Sequence, residues 1–199
     1  MTIKSFYKPI LTAEQMRKAE QQTMLEKNID SLALMERAGQ IIAHESHKHK
    51  LDSGRIVFIV GSGSNGGDGL VAARLLRLQN IPVTVIPLLD LENIHGDIQH
   101  QTQRALDVGV KIRPLTKAAD AETLENWLKR AVLVVDALFG TGLNKPITGW
   151  LAKAINIINQ AHCPTLSVDI ASGIHADTGE TQGIAIQADV TLPIAAYKW

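Results

Sequence analysis

Short apolar runs that stop abruptly at glycine- or aspartate-rich corners constrain this chain more than any other feature. RIVFIV (Arg55–Val60), PVTVIPL (Pro82–Leu88), Val110–Ile112, AVLVVDALFG (Ala131–Gly140), Pro164–Asp169 and Asp189–Ile194 are rich in β-branched residues and short for helices. Such runs read as strands buried on both faces. Between them lie segments of helical spacing: Gly69–Asn80, with Leu70, Ala73 and Leu76 on one face; Asp97–Val108; a helix capped by Asp120 and running to Lys129; and Gly149–Gln160. Two helices precede the first strand. Thr12–Lys27 opens with Thr12 and Gln15 at capping-box spacing. The next starts at Ser31 and carries Leu34, Met35, Ala38, Ile41 and Ile42 on one face. The alternation predicts an α/β fold: a mainly parallel sheet covered on both faces, with two leading N-terminal helices.

At 199 residues the chain has the length of a single domain, expected to span 1–199. That is enough to bury a core without disulfides or structural metals. Twenty Lys+Arg balance twenty Asp+Glu, so the net basic excess of a nucleic-acid binder is missing. Aromatics at 4% leave little for stacking single strands. One cysteine excludes a disulfide framework and fits a reducing compartment. With no apolar run of about 18 residues and no secretory h-region in MTIKSFYKPI, a cytoplasmic protein with no membrane partner is expected.

In open α/β sheets, ligands bind beyond the carboxyl ends of the strands, and three corners there carry chemistry. The first, Gly61–Gly69 (GSGSNGGDG), follows the first strand. Its glycines let backbone approach a ligand, and the helix after it offers free N–H groups to an anion. Gly61–Gly66 also matches G-x-G-x-x-G, with Asp90 or Glu92 placed to meet a ribose, which by itself suggests a nicotinamide dehydrogenase. Asp68 dilutes that reading: a carboxylate there complements the helix dipole, but facing a pocket it would repel a pyrophosphate. The second corner, Asp136–Pro146 (DALFGTGLNKP), puts a carboxylate at the end of a buried strand, where it needs either a cation or several hydrogen-bond donors. The third, Ser167–Glu180, closes a strand with Asp169 and continues to Ser172 and Gly173. Asp177, Thr178 and Gly179 read as turn chemistry only.

Taken together, Asn65, Asp136, Asp169 and Ser172 come from strand ends that a parallel sheet can make neighbours. A hard cation takes oxygen ligands. One acid among otherwise neutral oxygens favours a monovalent ion, and the second acid is then free for proton transfer. Other candidates are weaker. His44, His47 and His49 alternate with lysine at a helix end, a pattern of solvated charge near the negative end of the dipole. Cys163, Trp127 and Trp150 read as packing residues.

The three corners, in this order and spacing, together with Glu36–Gly39 (ERAG) in the second leading helix, resemble the YjeF N-terminal domain family, which includes the NAD(P)HX epimerases. The resemblance covers nearly the whole chain. It implies a Rossmann-like three-layer αβα sandwich, often a homodimer. It implies interconversion of the R and S forms of hydrated NADH and NADPH with bound K+. Carried over by motif, Asn65, Asp136 and Ser172 hold potassium. Ser64, Asn65, Gly66, Gly67 and Asp68, with Gly140, Thr141, Gly142, Leu143, Asn144, Lys145 and Pro146, hold the substrate's phosphate and sugar portion. Asp169 contacts the substrate and is the expected catalytic residue. Ser64 stands where most relatives have Asn, and Ala171 where the family usually has Pro.

Relatives continue past the lysine matching Lys198, so an ending at Tyr197-Lys198-Trp199 suggests a longer natural polypeptide. In many bacteria that polypeptide goes on into an ADP/ATP-dependent dehydratase domain. Two other readings compete. A non-catalytic nucleotide-binding or dimerising scaffold is one, since the same fold occurs in an mRNA-decapping scaffold protein. A dehydrogenase is the other, but it would require a second substrate domain.

Overall fold

A computed structural model describes residues 10–194 and 196 of the chain. Residues 1–9 and Tyr197, Lys198 and Trp199, on which the readings of the two ends rest, lie outside them. Among the described residues six strands form one sheet: β1 (Arg55–Val60), β2 (Val83–Pro87), β3 (Lys111–Ile112), β4 (Ala131–Ala137), β5 (Thr165–Val168) and β6 (Val190–Leu192). All pairings between them are parallel, in the order β3-β2-β1-β4-β5-β6. The chain therefore winds outward in one direction from β1 and, after returning to β4, in the other. A crevice opens where the winding reverses, between the carboxyl ends of β1 and β4.

The helices are α1 (Ala13–Lys27), α2 (Ser31–His49), α3 (Ser64–Leu78), α4 (Asp97–Asp107), α5 (Ala121–Leu128) and α6 (Gly149–Asn159). Strand periodicity assigns them to layers. Ile56, Phe58 and Val60 of β1 pack with Ile42 of α2, Leu70 and Leu76 of α3 and Ile98 of α4. The alternate residues, Val57 and Ile59, pack with Leu124 of α5 and Ile155 and Ile158 of α6. Both faces of the sheet are thus covered, and the three-layer αβα reading holds.

Two helix starts differ from expectation. The spacing places the third helix at Gly69; α3 begins five residues earlier, at Ser64, capped by Gly63 without a side-chain bond. The expected loop Ser64–Asp68 is therefore the helix's opening turns. The glycines at this corner serve close approach rather than a left-handed backbone. None of Gly61, Gly63, Gly66, Gly67 and Gly69 has positive φ. A Cβ on Gly66 would strike the carbonyl oxygen of Gly61, and one on Gly61 that of Leu138. Asp120 sits at the N-cap of α5 but makes no cap bond. Its Oδ2 accepts from the backbone N–H groups of Thr116 and Lys117 at 2.8 and 3.1 Å, closing the preceding turn.

The capping box on α1 forms as read: Gln15 N donates to Thr12 Oγ1 and Thr12 N to Gln15 Oε1. Only Ala13 and Met16 of this helix are buried. Its first turn is tied to the body by Asp177, whose Oδ1 accepts from Ala13 N at 2.7 Å. Ala13 also packs on Ile170 and Ala176. Asp177 is therefore more than turn chemistry: it anchors α1 across 164 residues of sequence. Glu36 of α2 accepts from the buried Arg74 of α3 at 2.5 and 2.6 Å and from Arg104 of α4 at 3.2 Å, joining the three helices.

Candidate active site

Beyond the carboxyl ends of β1 and β4, at the reversal point, lies a cleft of about 590 Å³. The start of α3 lines one side with Gly63, Ser64, Asn65 and Asp68; the loop after β4 lines another with Leu138–Lys145; Asp169 enters from the end of β5. Helix α1 adds Met16, Arg17 and Glu20. Of the predicted substrate residues, Ser64, Asn65, Asp68, Gly140, Thr141, Gly142, Leu143, Asn144, Lys145 and Asp169 all face this space. Gly66, Gly67 and Pro146 do not line it. The two glycines are buried in α3, where Gly67 abuts Met35, and Pro146 is exposed beyond the loop. Asp90 and Glu92 also stand away from the cleft: Asp90 Oδ1 accepts from Glu92 N at 3.0 Å, closing the turn after β2. An acid reaching a ribose from β2, the feature a dehydrogenase needs, is not among the cleft's lining.

Asp136 and Ser172 lie under the cleft floor, 0% and 1% exposed. Asp136 is the next-to-last residue of β4, whose buried run continues through Ala137, and four donors meet its carboxylate. Ser172 Oγ and Leu138 N donate to Oδ1 at 2.6 and 3.2 Å; Ser167 Oγ and Ser172 N donate to Oδ2 at 2.7 and 2.9 Å. Of the two partner types the sequence allows, donors are thus present, and no cationic side chain pairs with Asp136 among the described residues. Burial still pushes this carboxyl above the usual carboxylate range, against the lowering effect of its hydrogen bonds.

The Ser172 hydroxyl also accepts from Phe139 N at 2.8 Å and lies 3.2 Å from Phe139 O. That carbonyl accepts from Asn65 Nδ2 at 3.0 Å. Asn65, Phe139, Ser172 and Asp136 therefore form one continuous junction between the ends of β1, β4 and β5. The amide bond to Phe139 fixes the Asn65 side chain and leaves its Oδ1 as an acceptor without a donor among the described residues. The junction's acceptors are all oxygens, with one charge among them, and this donor set fits a monovalent hard cation.

Asp169 has φ +67°, a left-handed conformation uncommon for a residue with a side chain. Its N–H donates to Leu192 O at 2.8 Å and its Oδ1 accepts from Ile194 N at 3.2 Å. The turn after β5 thus presents this carboxylate to the cleft, held by the strand β6 beside it. Asp68, half-buried on α3, lies in the same cleft. Desolvation, then the charges of Asp169 and Glu20, push its carboxyl well above the usual range.

Arg17, Glu20 and Met16 were not legible as cleft residues. They sit on a helix whose own spacing gives no sign of which body it crosses. Other readings settle more simply. No group of three or more His, Cys, Asp or Glu among the described residues is arranged to hold a metal. Burial pushes the Cys163 thiol up, away from nucleophile chemistry. Trp150 Nε1 donates to Leu115 O at 2.9 Å, and Arg55 stacks over Trp127 at 5.6 Å, so both rings are engaged in packing. No described helix is long and apolar enough to cross a membrane.

A doubly wound parallel sheet with a glycine-walled cleft at its reversal point defines an α/β protein of the open-sheet class, its cleft lying where such sheets bind ligands. Comparison narrows this: the chain belongs to the family described as YjeF-related protein N-terminus, whose model matches residues 31–199. Among similar curated proteins is the NAD(P)H-hydrate epimerase of Limosilactobacillus fermentum, 37% identical over 188 residues, covering 94% of this chain and 86% of that protein. The NAD(P)H-hydrate epimerase of Levilactobacillus brevis is 39% identical over 170 residues, covering 85% and 75%. The bifunctional NAD(P)H-hydrate repair enzyme Nnr of Moorella thermoacetica is 37% identical over 192 residues, 95% of this chain but 36% of that longer protein. The crystal structure of yeast ynu0 superposes with a TM-score of 0.82 at 21% identity, over 96% of this chain and 82% of that one, and shares the fold.

Proposed function

We propose that this chain is an NAD(P)H-hydrate epimerase, interconverting the R and S forms of hydrated NADH and NADPH in cofactor repair. The observation that carries the reading is the oxygen-rich junction of Asn65, Phe139, Ser172 and Asp136 beneath a cleft that Asp169 enters. The likeness to epimerases at 36–39% identity supports it. The ring carbon C6 of the hydrated cofactor bears both a hydroxyl and the ring nitrogen. The nitrogen lone pair can expel the hydroxyl to give a planar cation, and water returning to the opposite face inverts the centre. Asp169 exchanges protons with the oxygen at C6, a contribution worth roughly 10²–10⁴-fold when the group is well positioned. The free N–H groups at the start of α3 and of the Gly140–Lys145 loop, with Arg17 and Lys145, hold the phosphates.

Asn65 Oδ1, the Asp136 carboxylate and Ser172 would hold K+. A bound potassium ion supplies charge compensation to the buried carboxylate and fixes the loops around it. The same reading expects a cytoplasmic homodimer whose product passes to a dehydratase, on the same natural polypeptide or a separate one.

The test incubates the protein with mixed hydrated NADH and an S-specific dehydratase. Complete consumption of both epimers is the expected result. Consumption that stops at the S fraction identifies a scaffold instead, and NADH formed from NAD and an alcohol identifies a dehydrogenase. Replacing potassium by choline should slow the wild-type rate.

A further inference from the structure

We propose that Asp68 is a second catalytic carboxyl, serving the face of the nicotinamide ring opposite the one served by Asp169. The inference rests on the epimerase reading and concerns how inversion is achieved. In an inversion at C6 the hydroxyl leaves one face of a planar ring and water arrives on the other. One carboxyl held against one face cannot reach both. The fold supplies two. Asp68 stands on α3, which follows β1; Asp169 follows β5; β4 runs between those strands. The two acids therefore approach one cleft from opposite sides of the β4 end, and both line it.

The surroundings of Asp68 suit an acid. Asp68 is desolvated and raised by the charges of Asp169 and Glu20, so it keeps its proton more readily than an ordinary aspartate. Asp169 is held in the cleft by a backbone N–H bond from Ile194 to its Oδ1 at 3.2 Å, on a turn with φ +67°. The other charged groups around Asp68 are Arg17 beside Glu20 on α1, Arg37 on α2, Asp97 on α4 and Lys145 of the β4 loop. Asp68 is the fifth residue of α3, a turn past the N-cap Gly63, so its carboxyl is not the cap of that helix.

The chemistry balances without another reactant. In one direction the C6–O bond breaks and its electron pair leaves with oxygen. Asp68 gives its proton to that oxygen, which departs as water, while the ring nitrogen's lone pair forms the C=N bond. Water then adds to the other face and gives a proton to Asp169, and the nitrogen regains its lone pair. The reverse epimerisation begins with Asp169 protonated and Asp68 ionised, so each turnover leaves the pair poised for the opposite direction or for exchange with solvent.

The experiment uses the full chain, purified hydrated NADPH of each epimer and ¹⁸O-enriched water, with Asp68→Asn and Asp169→Asn alongside wild type. Wild type should invert either epimer with uptake of one label. Asp68→Asn should lose about 10²–10⁴-fold in kcat with KM changed less than threefold. It should also exchange label into a single epimer without inverting it, because Asp169 still serves its own face. Asp169→Asn should exchange the opposite epimer through Asp68. The fall of wild-type kcat at high pH should vanish from the residual rate of Asp68→Asn. Inversion by Asp68→Asn at a tenth of the wild-type rate or more overturns the assignment, as does exchange of the same epimer by both variants or of neither by Asp169→Asn. The Asp169→Asn arm keeps the test decisive even if Asp68→Asn does not fold. A wild-type protein that inverts neither epimer refutes the epimerase reading itself.

Discussion

Replacing Ser172 by Ala tests the junction under the cleft. The hydroxyl has one proton, and the 2.6 Å bond to Asp136 Oδ1 claims it over the 3.2 Å contact with Phe139 O. Its lone pair accepts from Phe139 N at 2.8 Å. Alanine therefore removes a charge-assisted bond, worth about 1.5–3 kcal/mol, and leaves a backbone N–H without a partner at about 1–3 kcal/mol. Together the loss is roughly 2.5–6 kcal/mol, or a Tm lower by roughly 5–20 °C for a chain of this size. Ser167→Ala is the control: it deletes one bond to Oδ2, which keeps Ser172 N at 2.9 Å, so about 2 kcal/mol is expected. Chemical denaturation followed by both fluorescence and circular dichroism, first without potassium, gives the two values. A specific ion that binds only the folded state stabilises by about 2.7 kcal/mol at 100 times its Kd. Wild type should gain stability in potassium over choline, and Ser172→Ala should gain much less. A Ser172→Ala loss below about 1 kcal/mol, or one smaller than that of Ser167→Ala, would refute the reasoning.

Three further outcomes follow from the same geometry. Glu36→Ala strands the buried Arg74 guanidinium between α2 and α3 and should cost about 3 kcal/mol, the low end for breaking a buried pair because the Glu36 side chain is 28% exposed; thermal unfolding measures it. Asp177→Ala frees the first N–H of α1 and should cost about 1 kcal/mol. The larger sign is faster hydrogen exchange along α1 and a raised KM, since Arg17 and Glu20 lose their place at the cleft. Asp68→Asn should alter the dependence of stability on pH. Well below the ordinary aspartate value of about 3.9, folded and unfolded chains are both protonated and the group contributes nothing to that dependence. As pH rises past it, the unfolded carboxyl releases its proton while the buried one retains it, so wild-type stability declines until the raised folded value is passed. The Asn variant should lack this decline and be the more stable protein at neutral pH. A wild-type curve that rises with pH where the variant's is flat would reverse the sign.

How much of this was legible in the sequence depends on the range of the interaction concerned. RIVFIV predicts β1 with its observed bounds, because a buried strand carries its signal in its own residues. Thr12 and Gln15 announce the α1 cap because both partners lie within one turn. The meeting of Asn65, Asp136 and Ser172 was also readable, since strand-end position in a parallel sheet fixes which corners converge. The start of α3 was misplaced for a physical reason. Glycines disfavour helix by propensity, but here Gly61 and Gly66 answer to contacts with Leu138 and with each other, and tertiary packing overrides the local preference. Asp120 and Asp177 were each misjudged because a carboxylate beside a turn has several N–H groups within reach. Only the folded chain shows that one closes the turn before α5 and the other holds α1. The crossing of Arg17 and Glu20 over the cleft had no signal at all in α1, a helix with just two buried residues.

The placement of the acids gives them different tasks. Asp136, fully buried, has both oxygens occupied by donors from the loop after β4, from β5 and from the turn after β5. A carboxylate so engaged cannot move to meet a substrate, and its protonation would break bonds that join three strand ends. It suits a fixed group at the base of the site, the position in which the proposed function puts a cation ligand. Asp68 and Asp169 instead line the cleft itself. The proposed mechanism therefore assigns proton transfer to that pair and not to Asp136. The hydrogen bonds of Ser172 run to Asp136 and Phe139, so the junction is held from within its own strand ends.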